Sequence, residues 1–296
     1  MELIRKGLGE PVMKVNRFRE IEYLTFDLLE KTNVVTHMIS TRVGGVSQGI
    51  FSSMNYSYNR GDEKCAVDEN YRRTAEIFGK TPEAFVCSDQ THTVNVRKVT
   101  RQDLGKGVVF PKDYADIDGL VTNEPGLILS TFYADCVPLL FVDPVHRAIG
   151  CSHSGWRGTA GEMGRVTVER MQAEYGSRPE DIYAAIGPSI CQDCYEVSQD
   201  VAEVFLELLS EPRFEKIVGE KGSILWQEIC YQKENGKYQL NLWKVNEAIL
   251  LGAGILPGHL AVTDLCTCCN PGVLFSHRAS NGKRGNIGAF LMLNEI

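Results

Sequence analysis

The sequence predicts an α/β fold with a layered, mixed-sheet core and covering helices, formed as a single domain. Three observations carry this. Apolar runs suited to buried strands alternate with segments of helical periodicity along the chain. Two links between strand-like runs are short enough for hairpins, which puts antiparallel pairs into the sheet. Hydrophobic residues make up 43% of the 296 and charged residues 23%, so a full core is available in a globular composition.

In chain order, residues 68–79 are expected to be a helix. Asp68 is placed to cap it, Tyr71, Ala75 and Phe78 share a face, and Gly79 ends it. Leu127 to Phe132, after Pro125-Gly126, reads as a buried strand, Val137 to Val142 as a second and Ala148 to Cys151 as a third. The link Asp143-Pro144-Val145-His146 makes the last two antiparallel neighbours. A helix is expected over 161–175, stopped by Gly176, and a strand over 181–186 before Gly187-Pro188. Ser198 is placed to cap a helix carrying Val201, Val204, Phe205 and Leu208 on one face. Asn235-Gly236 marks a hairpin between Ile229-Cys230-Tyr231 and Tyr238-Gln239-Leu240. Asn241 caps a helix with Leu242, Val245 and Ile249 in register, ending at Gly252 or Gly254, and residues 286–293 form a last strand.

A net charge of -7 argues against general affinity for nucleic acid or anionic membrane, although an enzyme that handles phosphate still needs a local basic pocket. No apolar run follows Met1-Glu2-Leu3-Ile4-Arg5-Lys6-Gly7, so no secretory leader is expected. No segment reaches the ~20 apolar residues of a membrane helix. Ten cysteines then read as reduced thiols and metal ligands, with the cytoplasm as the default location.

The densest chemistry lies in Ala134-Asp135-Cys136-Val137-Pro138 and His153-Ser154-Gly155-Trp156-Arg157-Gly158, with His92 upstream in Asp89-Gln90-Thr91-His92-Thr93. Taken singly, Cys136 reads as a small buried hydrophobe and His92 as a loop residue. Together, at strand ends beside Asp135 and Trp156-Arg157, they supply two imidazoles and a thiolate. That set leaves one tetrahedral position open, as in catalytic zinc sites. The hairpin would bring Cys136 and His153 to the same edge of the sheet.

Thr41-Arg42-Val43-Gly44-Gly45-Val46-Ser47 and Ser154-Gly155-Trp156-Arg157-Gly158 pair glycine with arginine, a combination that suits phosphate oxygens. The second precedes a helix, whose N-terminus favours anions. Neither matches a phosphate-loop or dinucleotide fingerprint, and the bland alternative is a pair of tight turns. Cys191-Gln192-Asp193-Cys194 has two-residue spacing. The Cys266-Thr267-Cys268-Cys269 cluster is read as lacking the usual gap, so both groups are expected to be structural or pocket-lining rather than a shared zinc site. In Ser276-His277-Arg278, His277 reads as a ligand, a base or an ordinary loop histidine. Asp135 is placed to orient a ligand or to act as acid or base. His37, His146 and His259 carry no functional expectation.

These motifs, with Gly187-Pro188-x-Ile190 and Cys194-Tyr195-Glu196-Val197, resemble the YfiH/YlmD-like laccase-domain family in kind and in order. The resemblance runs from about residue 34 to the C-terminus. It leaves residues 1–33 as a lead-in segment packed on the domain and makes 34–296 the catalytic domain. It implies a metal site of His92, Cys136 and His153. It also implies zinc-dependent purine nucleoside phosphorylase activity on adenosine, inosine, guanosine and methylthioadenosine, with adenosine deaminase activity, or copper-dependent polyphenol oxidation. Thr93 stands where the family often has Gly and Ser154 where it often has Ala, which bears on substrate preference.

A multicopper site needs more histidines than the six present, whereas one zinc per chain suits the ligand set; copper at the same ligands is the alternative metal. The expected assignments are Asp135, Cys136 and Arg157 in the chemistry, and Arg42, Arg278, Asn55 and His277 around substrate and phosphate. The partners are a purine nucleoside and phosphate, with no nucleic acid or membrane, and a monomer or homodimer. Deamination would require water activated at the purine C6, and the H-x-E…P-C-x-x-C signature for that chemistry is missing. A metal-independent cysteine hydrolase using Cys136 and His153 is a rival, and a binding protein with zinc as a staple is another.

Overall fold

The computed structural model describes residues 3–7, 9–220 and 222–295. Its strands are β1 (Met13–Phe18), β2 (Ile21–Phe26), β3 (Val35–Ser40), β4 (Phe85–Cys87), β5 (Val96–Lys98), β6 (Gly119–Thr122), β7 (Ile128–Tyr133), β8 (Val137–Asp143), β9 (Ala148–Ser154), β10 (Tyr183–Ile186), β11 (Glu196–Val197), β12 (Cys230–Gln232), β13 (Tyr238–Leu240), β14 (Leu260–Val262) and β15 (Ile287–Leu293). Its helices are α1 (Asp27–Glu30), α2 (Lys64–Ile77), α3 (Trp156–Ala160), α4 (Met163–Tyr175), α5 (Gln199–Leu209), α6 (Trp226–Ile229) and α7 (Leu242–Gly252).

Two six-stranded sheets face each other. One runs β1-β2-β3-β15-β7-β4 and the other β14-β10-β8-β9-β6-β5, while β11-β13-β12 form a small third sheet. Three pairs, β4–β7, β5–β6 and β10–β14, are parallel in otherwise antiparallel sheets, so both large sheets are mixed, as expected.

Strand alternation assigns the layers. Leu129 on β7, Leu140 and Val142 on β8, and Ile287, Ala289 and Leu291 on β15 point between the two sheets. Leu139 and Phe141 turn the other way and pack under α4, α5 and α7, against Met171, Phe205 and Ile249. Ile128, Phe290 and Met292 turn outward beneath α2, against Tyr71 and Ala75. The order is therefore helix, sheet, sheet, helices. Strands covered on both faces read as mostly apolar runs, which is why β7 and β8 stood out in the sequence.

The β8–β9 hairpin forms in the expected place. Asp143 Oδ1 accepts the Val145 and His146 amides at 2.9 and 3.1 Å, and Oδ2 meets His146 Nδ1 at 2.9 Å. The carboxylate thus closes its own turn. The Asn235-Gly236 hairpin also forms, and Asn241 caps α7 by accepting from the Lys244 amide.

Other boundaries differ. α2 starts four residues early, because Asp68 binds the Tyr58 hydroxyl and Lys64 instead of capping. The expected 161–175 helix forms as α4 but starts two residues late, because Gly161 and Glu162 turn the chain between α3 and α4. Glu162 takes a left-handed φ of 57° and sends its buried carboxylate to Arg165 and Arg213. The 181–186 strand loses its start to a turn over Pro179–Asp181, and Ser198 makes no side-chain cap bond to α5. Residues 13–26 form β1 and β2, which pair onto β3 and extend the first sheet.

His37 on β3 is buried, and its Nε2 accepts the Phe26 amide at 2.9 Å. Burial, opposed in part by Glu30, pushes it down to about 4. The neutral form is thus favoured by folding, and that stability is complete above the unfolded value near 6.5 and lost as pH falls through about 4. The wild type is expected to lose about 3 kcal/mol more than His37→Gln between pH 6.5 and 4. Denaturant midpoints of both proteins across that range check it; identical acid limbs would contradict it.

Candidate metal centre and its cavity

The β8–β9 register places His153 opposite Pro138 and Ser154 opposite Val137, with Cys136 one residue before the strand. The seventeen-residue gap between Cys136 and His153 thereby closes across adjacent strands. His92 arrives from the loop after β4. Gln90 pins that loop to β7, accepting the Phe132 amide at 2.7 Å and donating to its carbonyl at 2.7 Å. His92 itself takes a φ of 68°, a left-handed turn uncommon outside glycine. The ligand atoms of His92, Cys136 and His153 all lie within 4.8 Å of one another.

Asp118, buried immediately before β6, organises this group and was missed in the sequence. Its Oδ1 meets His153 Nδ1 at 2.8 Å and accepts the His92 amide at 3.1 Å. Its Oδ2 accepts the Thr91 and Thr93 amides at 3.0 and 2.9 Å and the Thr93 hydroxyl at 3.0 Å. Burial opposes its ionisation, but His153 and these amides outweigh it and hold Asp118 at about 2. A carboxylate on Nδ1 fixes the imidazole ring and leaves Nε2 for a metal. The one sequence signal was a carboxylate placed directly before an apolar strand.

Burial raises Cys136, yet His153 and His92 beside it bring the thiol down to about 6; burial lowers His153, yet Cys136 and Asp118 lift it to about 9. The site thus favours thiolate, the form that binds metal. Gly155 makes room for it. A Cβ there would sit 2.9 Å from His92 Cδ2 and 3.1 Å from Cys136 Sγ, so this glycine admits two ligand side chains and not an anion. The three residues fit a single tetrahedral metal ion by donor type and spacing, with His153 buried and His92 open to solvent.

Asp118→Asn keeps the shape and removes the charge behind His153. Metal affinity is expected to fall about 10–100-fold with the fold intact. Competition against a chelator of known affinity measures this, and unchanged affinity would remove Asp118 from the site.

The group opens into a cavity of about 860 Å³, in the size range of small-molecule sites. One wall is apolar and aromatic, with Tyr58, Val108, Phe110 and Phe132. The same lining carries the cations Arg60, Lys64, Lys112 and Arg284, with Lys64 Nζ 5.6 Å from the Tyr58 ring centre. Lys64 pairs with Asp68 and Lys112 with Asp89. Among the described residues Arg60 and Arg284 have no carboxylate partner within salt-bridge distance, and the buried Arg284 Nε has no acceptor. Burial, with Arg60 beside it, pulls Arg284 down to about 10, while the charges of Asp135 and Cys136 oppose this. Arg284 Nη1 donates to the Gly285 carbonyl and the Asn286 side chain, and its remaining donors, with Arg60 beside them, are suited to an anion.

The other expected site residues sit elsewhere. Arg42 donates to the carbonyls of Ser52 and Pro271 and lies over Phe275, off the cavity wall. Asn55 is buried, accepting the Ser57 and Asn286 amides and donating to Asp62. Arg278 donates to the carbonyls of Cys194 and Glu196. His277 is exposed, and exposed Arg157 stacks on Trp156 at 4.4 Å. The helix it begins is only five residues long, which withdraws the helix-terminus basis for an anion there. Asp135 accepts the Thr267 hydroxyl at 2.6 Å and the Arg278 amide at 2.7 Å, so both oxygens hold loops around Cys136. Thr93 binds Asp118, and Ser154 binds Thr159 and Asn246; neither departure from the family pattern lines the cavity. Cys191, Cys194, Cys266 and Cys269 converge in a second cluster instead of lining the pocket.

A double-sheet α/β fold with a two-histidine, one-cysteine group in its main cavity defines a candidate metalloenzyme. Residues 36–294 match the model of the family described as multi-copper polyphenol oxidoreductase laccase, and the chain belongs to that family. It is 36% identical over 257 residues to purine nucleoside phosphorylase YlmD of Bacillus subtilis, covering 86% of this chain and 87% of that one. It is 32% identical over 274 residues to a purine nucleoside phosphorylase of Bacteroides thetaiotaomicron, covering 92% and 96%. The crystal structure of YlmD from Geobacillus stearothermophilus matches with a TM-score of 0.84 at 32% identity, over 97% of this chain and 100% of that chain. Among the described residues no helix is long and apolar enough to cross a membrane.

Proposed function

We propose that this chain is a zinc-dependent purine nucleoside phosphorylase acting on adenosine, inosine, guanosine and methylthioadenosine, with adenosine deamination as a side activity. The observation that carries it is one cavity holding the His92–Cys136–His153 group and the Arg60–Arg284 pair, which has no carboxylate within salt-bridge distance among the described residues. The names of the relatives support the same reading.

In this scheme His92, Cys136 and His153 hold the metal, Asp118 orients His153, and Asp135 positions Cys136. When bound, the zinc supplies a Lewis acid facing the cavity. Arg60 and Arg284, in place of Arg42 and Arg278, hold phosphate, and the aromatic wall with Tyr58, Phe110 and Phe132 takes the purine. A phosphate oxygen forms the new bond to the anomeric carbon as the carbon–nitrogen bond breaks. The electron pair leaves with the base, which takes up a proton. Holding both substrates in one orientation contributes to the rate independently of any acid or base.

Turnover of adenosine and inosine by the wild type, with and without phosphate, tests the proposal. Base release that requires phosphate supports it; base release of equal rate without phosphate would overturn it. Oxidation of phenols with copper is the other reading, and the family description favours it. Against a multicopper centre, His37 binds Phe26, His146 binds Asp143, His259 stacks on Tyr183 and His277 stands exposed, so four of the six histidines lie outside the site.

A further inference from the structure

We infer that Cys191, Cys194, Cys266 and Cys269 form a second, tetrathiolate metal site that holds a structural zinc ion. Their four sulfurs all lie within 4.8 Å of one another, and Cys194 Sγ is 3.6 Å from Cys269 Sγ. A tetrahedral zinc with Zn–S bonds of about 2.3 Å sets its sulfurs about 3.8 Å apart, so one ion fits without rearranging the loops. A four-iron cluster would spread the thiolates wider than this.

The sequence carries the matching pattern. Cys191 and Cys194 are separated by two residues, and so are Cys266 and Cys269. Cys268 lies between the second pair and obscures its spacing. Two paired C-x-x-C segments are a usual form of structural zinc ligation. Backbone donors and one cation face the cluster. The amides of Cys191 and Cys269 both donate to Cys266 Sγ, at 3.3 and 3.4 Å. Lys6 stands beside the cluster, 2.9 Å from Asp193, and its charge offsets the two negative charges of a zinc tetrathiolate.

The site joins the two loops that hold Arg278 and Asp135. One loop supplies the Cys194 and Glu196 carbonyls that hold Arg278, and the Ile190 amide that donates to the Asp135 carbonyl at 3.0 Å. The other supplies Thr267, whose hydroxyl holds the Asp135 carboxylate. The ion binds as the thiols lose their protons to solvent, stapling both loops behind the Asp135–Cys136 turn. No step of the proposed phosphorolysis passes through it.

The test uses the full chain carrying Cys136→Ala, in which the cavity site is disabled, so its result does not depend on the proposed function. After loading with zinc and dialysis, this protein is expected to keep about one zinc per chain, falling to none when Cys194→Ser and Cys269→Ser are added. A strong chelator is expected to strip the ion and lower the melting temperature. Should the added substitutions prevent folding, cobalt loading of the Cys136→Ala protein decides. Intense thiolate-to-cobalt absorption is expected, and no such absorption would overturn the site. Failure to retain zinc, iron with inorganic sulfide, or a Cys194–Cys269 disulfide in the purified protein would also overturn it.

Discussion

Cys136→Ala protein is expected to lose the metal at His92 and His153 and at least a thousandfold in phosphate-dependent turnover. The thiolate is one of three ligands, and two imidazoles alone do not complete a tetrahedral zinc site. A Lewis acid contributes several kcal/mol to a transition state that develops charge, and about 4 kcal/mol corresponds to a thousandfold. The fold is expected to survive, because the side chain sits between β7 and β8 at the cavity and not in a sheet interior. Metal content and turnover are measured on the same preparation. The metal-stripped wild type separates this outcome from a metal-independent cysteine hydrolase. In the stripped protein the low Cys136 and raised His153 values favour a thiolate–imidazolium pair. If stripped wild type retains full turnover and is inactivated by a thiol alkylator, Cys136 is a nucleophile and the metal scheme fails.

Arg284→Met is expected to reduce kcat/KM for phosphate by about 10- to 150-fold, from the loss of about 1.5–3 kcal/mol in charge-assisted hydrogen bonding. Metal content should not change. Stability should change little, since relief of a half-buried guanidinium beside Arg60 is offset by loss of its bonds to the Gly285 carbonyl and Asn286. An activity loss with unchanged or improved melting temperature assigns the effect to binding and not to packing. Lys restores the charge but not the planar fork, so Arg284→Lys should recover only part of the loss. A methionine variant with unaltered phosphate dependence would remove Arg284 from the proposal.

The parts of this protein that could be read in its sequence share a physical cause. β7, β8 and β9 are covered on both faces, so each carries a mostly apolar run, and Asp143-Pro144 marks the turn between two of them. That hairpin implied the approach of Cys136 to His153 before any coordinates. β1 lies at a sheet edge and is mostly exposed, so it carries no apolar run, and β4, β5 and β6, three or four residues long, are too short to show a period.

Arg42 was expected at the substrate and lies off the cavity for a related reason. Arginine beside glycine serves packing as readily as binding. Arg42 sits next to Gly44 and Gly45, where added Cβ atoms would fall 2.3 Å from the Glu20 carbonyl oxygen and 2.1 Å from that of Ser53, and its guanidinium goes to carbonyls of the same knot. Arg60, before Gly61, and Arg284, before Gly285, carry the same local signature, but Arg284 meets only the Gly285 carbonyl and Asn286 through one nitrogen, and its Nε has no acceptor. The difference is whether the chain folds carbonyls around the guanidinium, which depends on segments far away in sequence. Asp118 illustrates the same limit, since its partner His153 is 35 residues away.

The central claim is that phosphate itself attacks the sugar. Phosphorus-31 spectra of wild-type protein turning over inosine in phosphate test this directly. The account predicts a sugar-phosphate resonance that grows in step with released base. Free pentose with unchanged phosphate would contradict it.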